Sequence, residues 1–264
     1  MRTALLSVGI SLYQSDKIRD LSVCHQDAQA VVAAFKRIAG DQLHHRLLLN
    51  EQATKQQIRE GIQWLALTAK KGDLAVFYYS GHGASDKDDE HEEPDPADEF
   101  ICPYDCGVQP GMASFIRDDE LHEWLSAVSQ KTDSLAVIFD SCHSGTAIMA
   151  PQGAIAKEIP PAIVRTLIGD DKPPKRGSPP PKKVPGQLLL AGCQDDERSY
   201  ILRNAPNSLL TTCLLQALEK PEITTFQELY QQVSPLVVDR IEREGLQQTP
   251  NLVDGTDGKL AFRA

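Results

Sequence analysis

Two stretches of this chain carry side chains that an apolar core would not select. Residues 134–139 form a short apolar run that ends in Asp140-Ser141-Cys142-His143-Ser144-Gly145. Residues 73–79 form another, ending in Ser80-Gly81-His82-Gly83. Short runs rich in branched and aromatic residues read as buried strands. In open α/β sheets, ligands sit in the crevice outside the carboxyl ends of such strands. If the two strands are neighbours, His82 and Cys142 meet at one sheet edge. A thiolate is a nucleophile, and an imidazole can take its proton and later give one to a leaving amine. The small neighbours leave room for a substrate backbone, and the Gly83 and Cys142 amides are the candidate oxyanion donors. A lone histidine or cysteine is usually structural; two of them, each ending a buried strand beside glycine, specify nucleophilic acyl transfer.

The elements that must hold this pair follow in chain order. Residues 3–10 read as a first strand, and Ala28, Val31, Val32, Phe35 and Ile38 mark a helix over 27–38 stopped by Gly40. Residues 45–49 read as a second strand. Thr54-Lys55-Gln56-Gln57 looks like a capping box that opens a helix reaching about Ala69. Then comes the strand leading to His82. Strand and helix alternate as in right-handed parallel crossovers. A helix with acids in its first turn, from 116–121 to about Ser129, leads into the Cys142 strand. Gln187–Ala191 reads as a strand, Leu209–Leu218 and 226–241 as helices with a bend at Pro235, and 259–262 as a last edge strand.

Size and composition bound the rest. A chain of 264 residues can bury a proper core as one large domain or two small ones. A net charge of −10 argues against a nucleic-acid surface. Six cysteines in this length do not make a disulfide scaffold. No signal-peptide pattern and no stretch of membrane-spanning length stands out. The expectation is a cytoplasmic, reduced protein acting as a monomer, with no nucleic-acid or membrane partner.

The motifs Tyr79-Ser80-Gly81-His82-Gly83 and Phe139-Asp140-Ser141-Cys142-His143-Ser144-Gly145 resemble the catalytic histidine and cysteine motifs of metacaspases and their bacterial relatives among the caspase-like cysteine peptidases. The histidine precedes the cysteine by 60 positions (142 minus 82), near the roughly 50 noted for caspases. Supporting likenesses run in the family's order along nearly the whole chain: 21–28 with Cys24 and Asp27, 98–105, 116–121 and 191–195. The resemblance implies an α/β fold, a caspase-like three-layer sandwich around a mostly parallel six-stranded sheet. It implies a large-subunit-like region (1–150) and a small-subunit-like region (187–264). It also implies a basic P1 residue held by Asp27 and Asp140, with Cys24 and Ser80 beside them. Two carboxylates facing a guanidinium is sound chemistry. Taken alone, Asp27 also reads as a helix N-terminal acid.

Between the two regions, 151–186 is proline-rich and basic and reads as an extended linker. An enzyme cutting after Arg or Lys would find Arg165, Lys172, Lys175, Arg176, Lys182 and Lys183 accessible there, so self-processing is expected in this linker. A plain spacer is the alternative. No cofactor is required. Family aspartates that bind an activating Ca²⁺ match Asp98, Asp118 and Asp119, but a fourth falls on Met149, which cannot ligate a hard cation; no metal site is assigned. The acidic stretch 85–99 reads as a solvated loop, with a divalent-cation site as its alternative. Zinc at Cys102, Cys106 and His91 lacks a matching second pair. Cys193 and Cys213 read as buried thiols, and His44 and His45 as surface residues. The rival to a peptidase is a catalytically silent regulatory or scaffold module of the same fold.

Overall fold

The computed structural model describes residues 1–85, 99–142, 154–169, 184–194 and 196–263. Six strands form the central sheet in the order β11-β9-β7-β3-β1-β2: β1 (Thr3–Gly9), β2 (Leu43–Leu49), β3 (Leu74–Ser80), β7 (Leu135–Asp140), β9 (Gln187–Ala191) and β11 (Asn251–Asp254). Five of them run parallel, and β11 pairs antiparallel with β9 at the edge. Strands β1 and β3 are buried along their whole length, which is why they read as unbroken apolar runs.

Alternate residues of these strands enter two different cores. Leu6, Val8, Phe77 and Tyr79 join Ile58, Ile62 and Leu65 of α2 (Lys55–Thr68) and Leu121 and Leu125 of α3 (Asp118–Ser129). On the other face, Leu5, Val76, Tyr78 and Ile138 join α1 (Cys24–Ala39), α5 (Leu209–Leu218) and α6 (Phe226–Glu242) through Val31, Phe35, Leu214 and Val237. The result is the expected three-layer sandwich. Helix α2 begins where the sequence indicated, with Thr54 Oγ1 accepting the Gln57 amide at 3.2 Å. Helix α1 packs so closely on β1 that a Cβ at Gly9 would lie 2.4 Å from the Cys24 carbonyl oxygen; glycine there lets the start of α1, with Asp27, reach the end of the sheet.

Two small sheets stand beyond the carboxyl ends of the central strands. One joins β4 (Gly83–Ser85), β5 (Glu99–Ile101) and β6 (Ile116–Arg117). The other pairs β8 (Ala154–Ala156) antiparallel with β10 (Tyr200–Leu202). The stretch 151–186, expected as an extended linker, therefore contains a strand and the helix α4 (Pro161–Ile168). Lys172, Lys175, Arg176, Lys182 and Lys183 lie outside the described residues, whereas Arg165 sits in α4. The last edge strand is also displaced from its expected position. It is β11 at Asn251–Asp254, and within 259–262 only Ala261 bridges, to Thr225, while Leu260 and Phe262 turn into the core. Helix α6 runs through Pro235 without interruption. No helix among the described residues is long and apolar enough to cross a membrane.

Candidate functional site

Strands β3 and β7 are neighbours, with Ser80 paired opposite Asp140. The residues that follow them, His82 and Cys142, emerge together at the carboxyl end of the sheet, both buried. The loop carrying His82 is fixed by tyrosines. The His82 amide donates to Tyr13 Oη at 2.7 Å, and the Tyr79 hydroxyl shares its one proton between the His82 and Cys102 carbonyls, 2.7 and 2.9 Å away.

The imidazole Nε2 lies 2.7 Å from the Arg19 carbonyl oxygen. A carbonyl only accepts, so in the neutral ring Nε2 carries the proton and Nδ1 holds the free lone pair. Nδ1 is buried without a hydrogen-bond partner. Burial lowers the pKa of His82 to about 4, with the Arg19 carbonyl pulling the other way. The ring is therefore a neutral base across the physiological range. The Cys142 thiol is held by the main chain of Ser199, whose amide donates to Sγ at 2.7 Å and whose carbonyl lies 3.2 Å from it.

The four other residues singled out by sequence gather beside this pair around a side chain that sequence reasoning passed over. Lys157, the residue after β8, is fully buried. Its ammonium donates to Asp140 Oδ1 at 2.8 Å, Ser80 Oγ at 2.8 Å and Ser208 Oγ at 3.1 Å, so each of its three protons has an acceptor. Asp27 Oδ2 is 3.9 Å away. Ser80 and Ser208 pass their own protons on to that same oxygen, at 2.7 and 2.5 Å. The other oxygen of Asp27 accepts the Ser208 amide and Asn207 Nδ2. Asp140 is completed by Ser199 Oγ and by the amide and hydroxyl of Thr211.

Burial opposes the charge on Lys157, but the carboxylates of Asp140 and Asp27 hold its pKa above the ordinary lysine value. Asp27 is pushed up by burial and by its neighbour Asp140, against the pull of Lys157. Cys24, in the first turn of α1, is driven by burial to about 12 and stays a neutral thiol.

The backbone of Lys157 is held as firmly as its side chain. Its carbonyl oxygen accepts the Gly83 amide at 3.0 Å and the Cys142 amide at 3.3 Å, the two donors named from sequence. Its own amide donates to the Ser199 carbonyl at 3.0 Å, and the Ile159 amide to the Gly83 carbonyl at 3.0 Å. Residues 154–159 thus lie across the site as an added strand, the way an extended peptide binds a sheet edge. The one sequence clue was a lysine inside Ala154-Ile155-Ala156-Lys157, a small apolar patch within a proline-rich segment.

Cys193 and Cys213 are buried and all six cysteines are free thiols; His44 and His45 are exposed. Asp118 and Asp119 open α3. Asp98, His91, His143, Met149 and most of 85–99 lie outside the described residues. Among the described residues, no cluster of three or more His, Cys, Asp or Glu side chains is placed to hold a metal ion.

A three-layer sandwich with a histidine and a cysteine at the ends of adjacent parallel strands defines the caspase-like class. The family profile described as metacaspase, peptidase C14 domain, matches residues 2–151, and the chain belongs to that family. Metacaspase-1 of Botryotinia fuckeliana is 35% identical over 158 residues, covering 57% of this chain and 36% of that protein. Metacaspase-1 of Plasmodium falciparum is 28% identical over 240 residues, 85% of this chain and again 36% of the relative. The chain thus matches little more than a third of the length of these curated relatives. Among solved structures, protein GSU0716 from Geobacter sulfurreducens shares the fold, with a TM-score of 0.68 and 23% identity over 96% of this chain and 92% of that one.

Proposed function

We propose that this chain is a cysteine endopeptidase that cuts after lysine or arginine, and that its own Lys157–Glu158 bond is its first substrate. The observation that carries this reading is Lys157 itself. Its side chain fills a pocket with two carboxylates, and its carbonyl oxygen accepts from the two amides suited to an oxyanion. An arginine, with its longer reach and forked guanidinium, suits the same two acids. An acidic side chain there would face two buried carboxylates and be rejected.

In this reading the residues act as follows. The Cys142 thiol gives up its contact with the Ser199 carbonyl and passes its proton to His82 Nδ1, while Sγ attacks the P1 carbonyl carbon. Negative charge develops on the oxygen held by the Gly83 and Cys142 amides. The C–N bond breaks as the imidazolium returns its proton to the departing amine. Water, deprotonated by His82, then adds to the thioester, freeing the new carboxylate and restoring the thiol. A basic peptide arriving from solution must displace a segment tethered to the same chain, whose effective concentration is of millimolar order. The uncut chain is for that reason a latent form.

The test uses fluorogenic peptides ending in Lys, Arg or Asp, with wild type and Cys142→Ala. Hydrolysis after Lys and Arg by wild type alone supports the reading. Cleavage after Asp contradicts the pocket assignment. No hydrolysis, with Cys142 inert to alkylation, favours the silent scaffold.

A further inference from the structure

On the other side of the same bond, Glu158 points into a place of opposite charge. Its Oε2 accepts from Arg198 Nε at 2.5 Å, and both side chains are nearly enclosed, at 6% and 7% exposure. The guanidinium immediately precedes Ser199, whose main chain brackets the Cys142 sulfur and receives the Lys157 amide. Its position is therefore set by the segment before β10 whose Ser199 carbonyl accepts the Lys157 amide. The Glu158 backbone bridges Gly83 in parallel register, and Ile159 donates to the Gly83 carbonyl, so the residue after Lys157 is held in place by its main chain too. The second carboxylate oxygen of Glu158 is buried without a partner. This acid is enclosed by the site and matched there by one cation.

We propose that Arg198 forms an S1′ subsite that selects an acidic residue immediately after the scissile bond. The inference rests on the reading of Lys157 as a P1 residue. The preferred sequence is then a basic residue followed by an acidic one, two opposite charges read by two opposite pockets on either side of Cys142. A neutral P1′ side chain would leave the Arg198 charge enclosed without a carboxylate, with Tyr200 as its remaining side-chain partner, and a basic one would repel it. A hydrogen bond to a charged group is worth roughly ten- to a hundredfold in discrimination.

The experiment uses internally quenched peptides Ala-Ile-Ala-Lys-X-Ile-Pro with X as Glu, Gln or Lys, and the full-length chain. Dye-amide peptides ending in Lys, which have no P1′ residue, are run alongside. Wild type is expected to rank Glu above Gln above Lys in kcat/KM, with at least about tenfold between the extremes. Arg198→Glu is expected to reverse the order, favouring Lys. Equal rates on all three peptides, with the dye peptide hydrolysed, would overturn the S1′ assignment and leave the P1 reading standing. Failure on the dye peptide as well would overturn both. The wild-type series alone decides the matter should the variant not fold.

Discussion

The two sides of the Lys157–Glu158 bond are built very differently. On the acyl side a fully buried lysine meets two carboxylates, two serine hydroxyls and, behind them, Asn207 and Thr211. These groups come from β3, β7, α1 and the start of α5, so the pocket is a property of the whole sandwich. On the leaving side one arginine meets one glutamate. If Lys157 is the residue presented to Cys142, the difference implies that affinity and strictness reside in the acyl pocket, where each ammonium proton has an acceptor. The leaving side adds a single, more easily altered preference. Buried networks of this kind tolerate replacement of one member poorly, because the remaining charge stays enclosed and unpaired.

The largest effect expected from unbalancing this arrangement is at Asp140, which touches the ammonium directly. Asp140→Asn should lower kcat/KM on lysyl and arginyl peptides by roughly a hundred- to several-thousandfold, since breaking a buried pair costs about 3–5 kcal/mol. Asp27 stands 3.9 Å from the ammonium and is satisfied mainly by Ser80, Ser208 and Asn207. Asp27→Asn should therefore cost less, roughly tenfold on the same peptides, because what it loses is a longer-range attraction. Equal losses at the two positions would show that the acids share the charge evenly.

A pH effect of intermediate size follows from His82. Its folded pKa of about 4 lies below the ordinary 6.5. The unfolded chain therefore binds a proton that the folded chain refuses, and stability falls as the pH drops from about 6.5 toward 4. At pH 4.5 this one group should remove about 2–3 kcal/mol relative to pH 7. Urea unfolding of Cys142→Ala, with and without His82→Gln so that both chains stay whole, reads it at both pH values, and the double variant should lose that much less. Parallel losses in the two proteins would place the acid sensitivity elsewhere.

The smallest effect, at Glu158, stands against the complete loss expected at Lys157. Glu158→Gln should slow cleavage of the chain's own bond by about tenfold or less. Lys157→Gln should stop it there, while Lys157→Arg should preserve it. Timed mass spectra of the three variants give the ranking.

Much of this site was legible in the sequence, for identifiable reasons. Strands buried on both faces leave unbroken apolar runs, so β3 and β7 stand out, and the polar residues that interrupt them are His82 and Cys142 with their neighbours. Gly83 and Cys142 stood out as candidate oxyanion donors from the glycine-containing turns that follow these strands, whereas the pairing of Asp27 with Asp140 came from the resemblance to metacaspases. Lys157 did not follow. Its burial is decided by carboxylates contributed from distant parts of the chain, and a lysine beside prolines reads by composition as exposed. Arg198 and Ser199 escaped for the same reason: their place beside Cys142 depends on β10 pairing with β8, and strands of three residues carry no periodic signal. The misplaced edge strand has a local cause. Lys259-Leu260-Ala261-Phe262 alternates like a strand, but Leu260 and Phe262 use that alternation to pack against α6 residues such as Phe226.

The most direct test of the account is the intact mass of the purified chain over time, wild type beside Cys142→Ala. The account predicts that wild type divides into fragments 1–157 and 158–264 while the variant stays whole. A wild-type chain that hydrolyses lysyl peptides yet remains uncut, or is cut only at other basic residues, would contradict the assignment of Lys157 as the residue presented to Cys142.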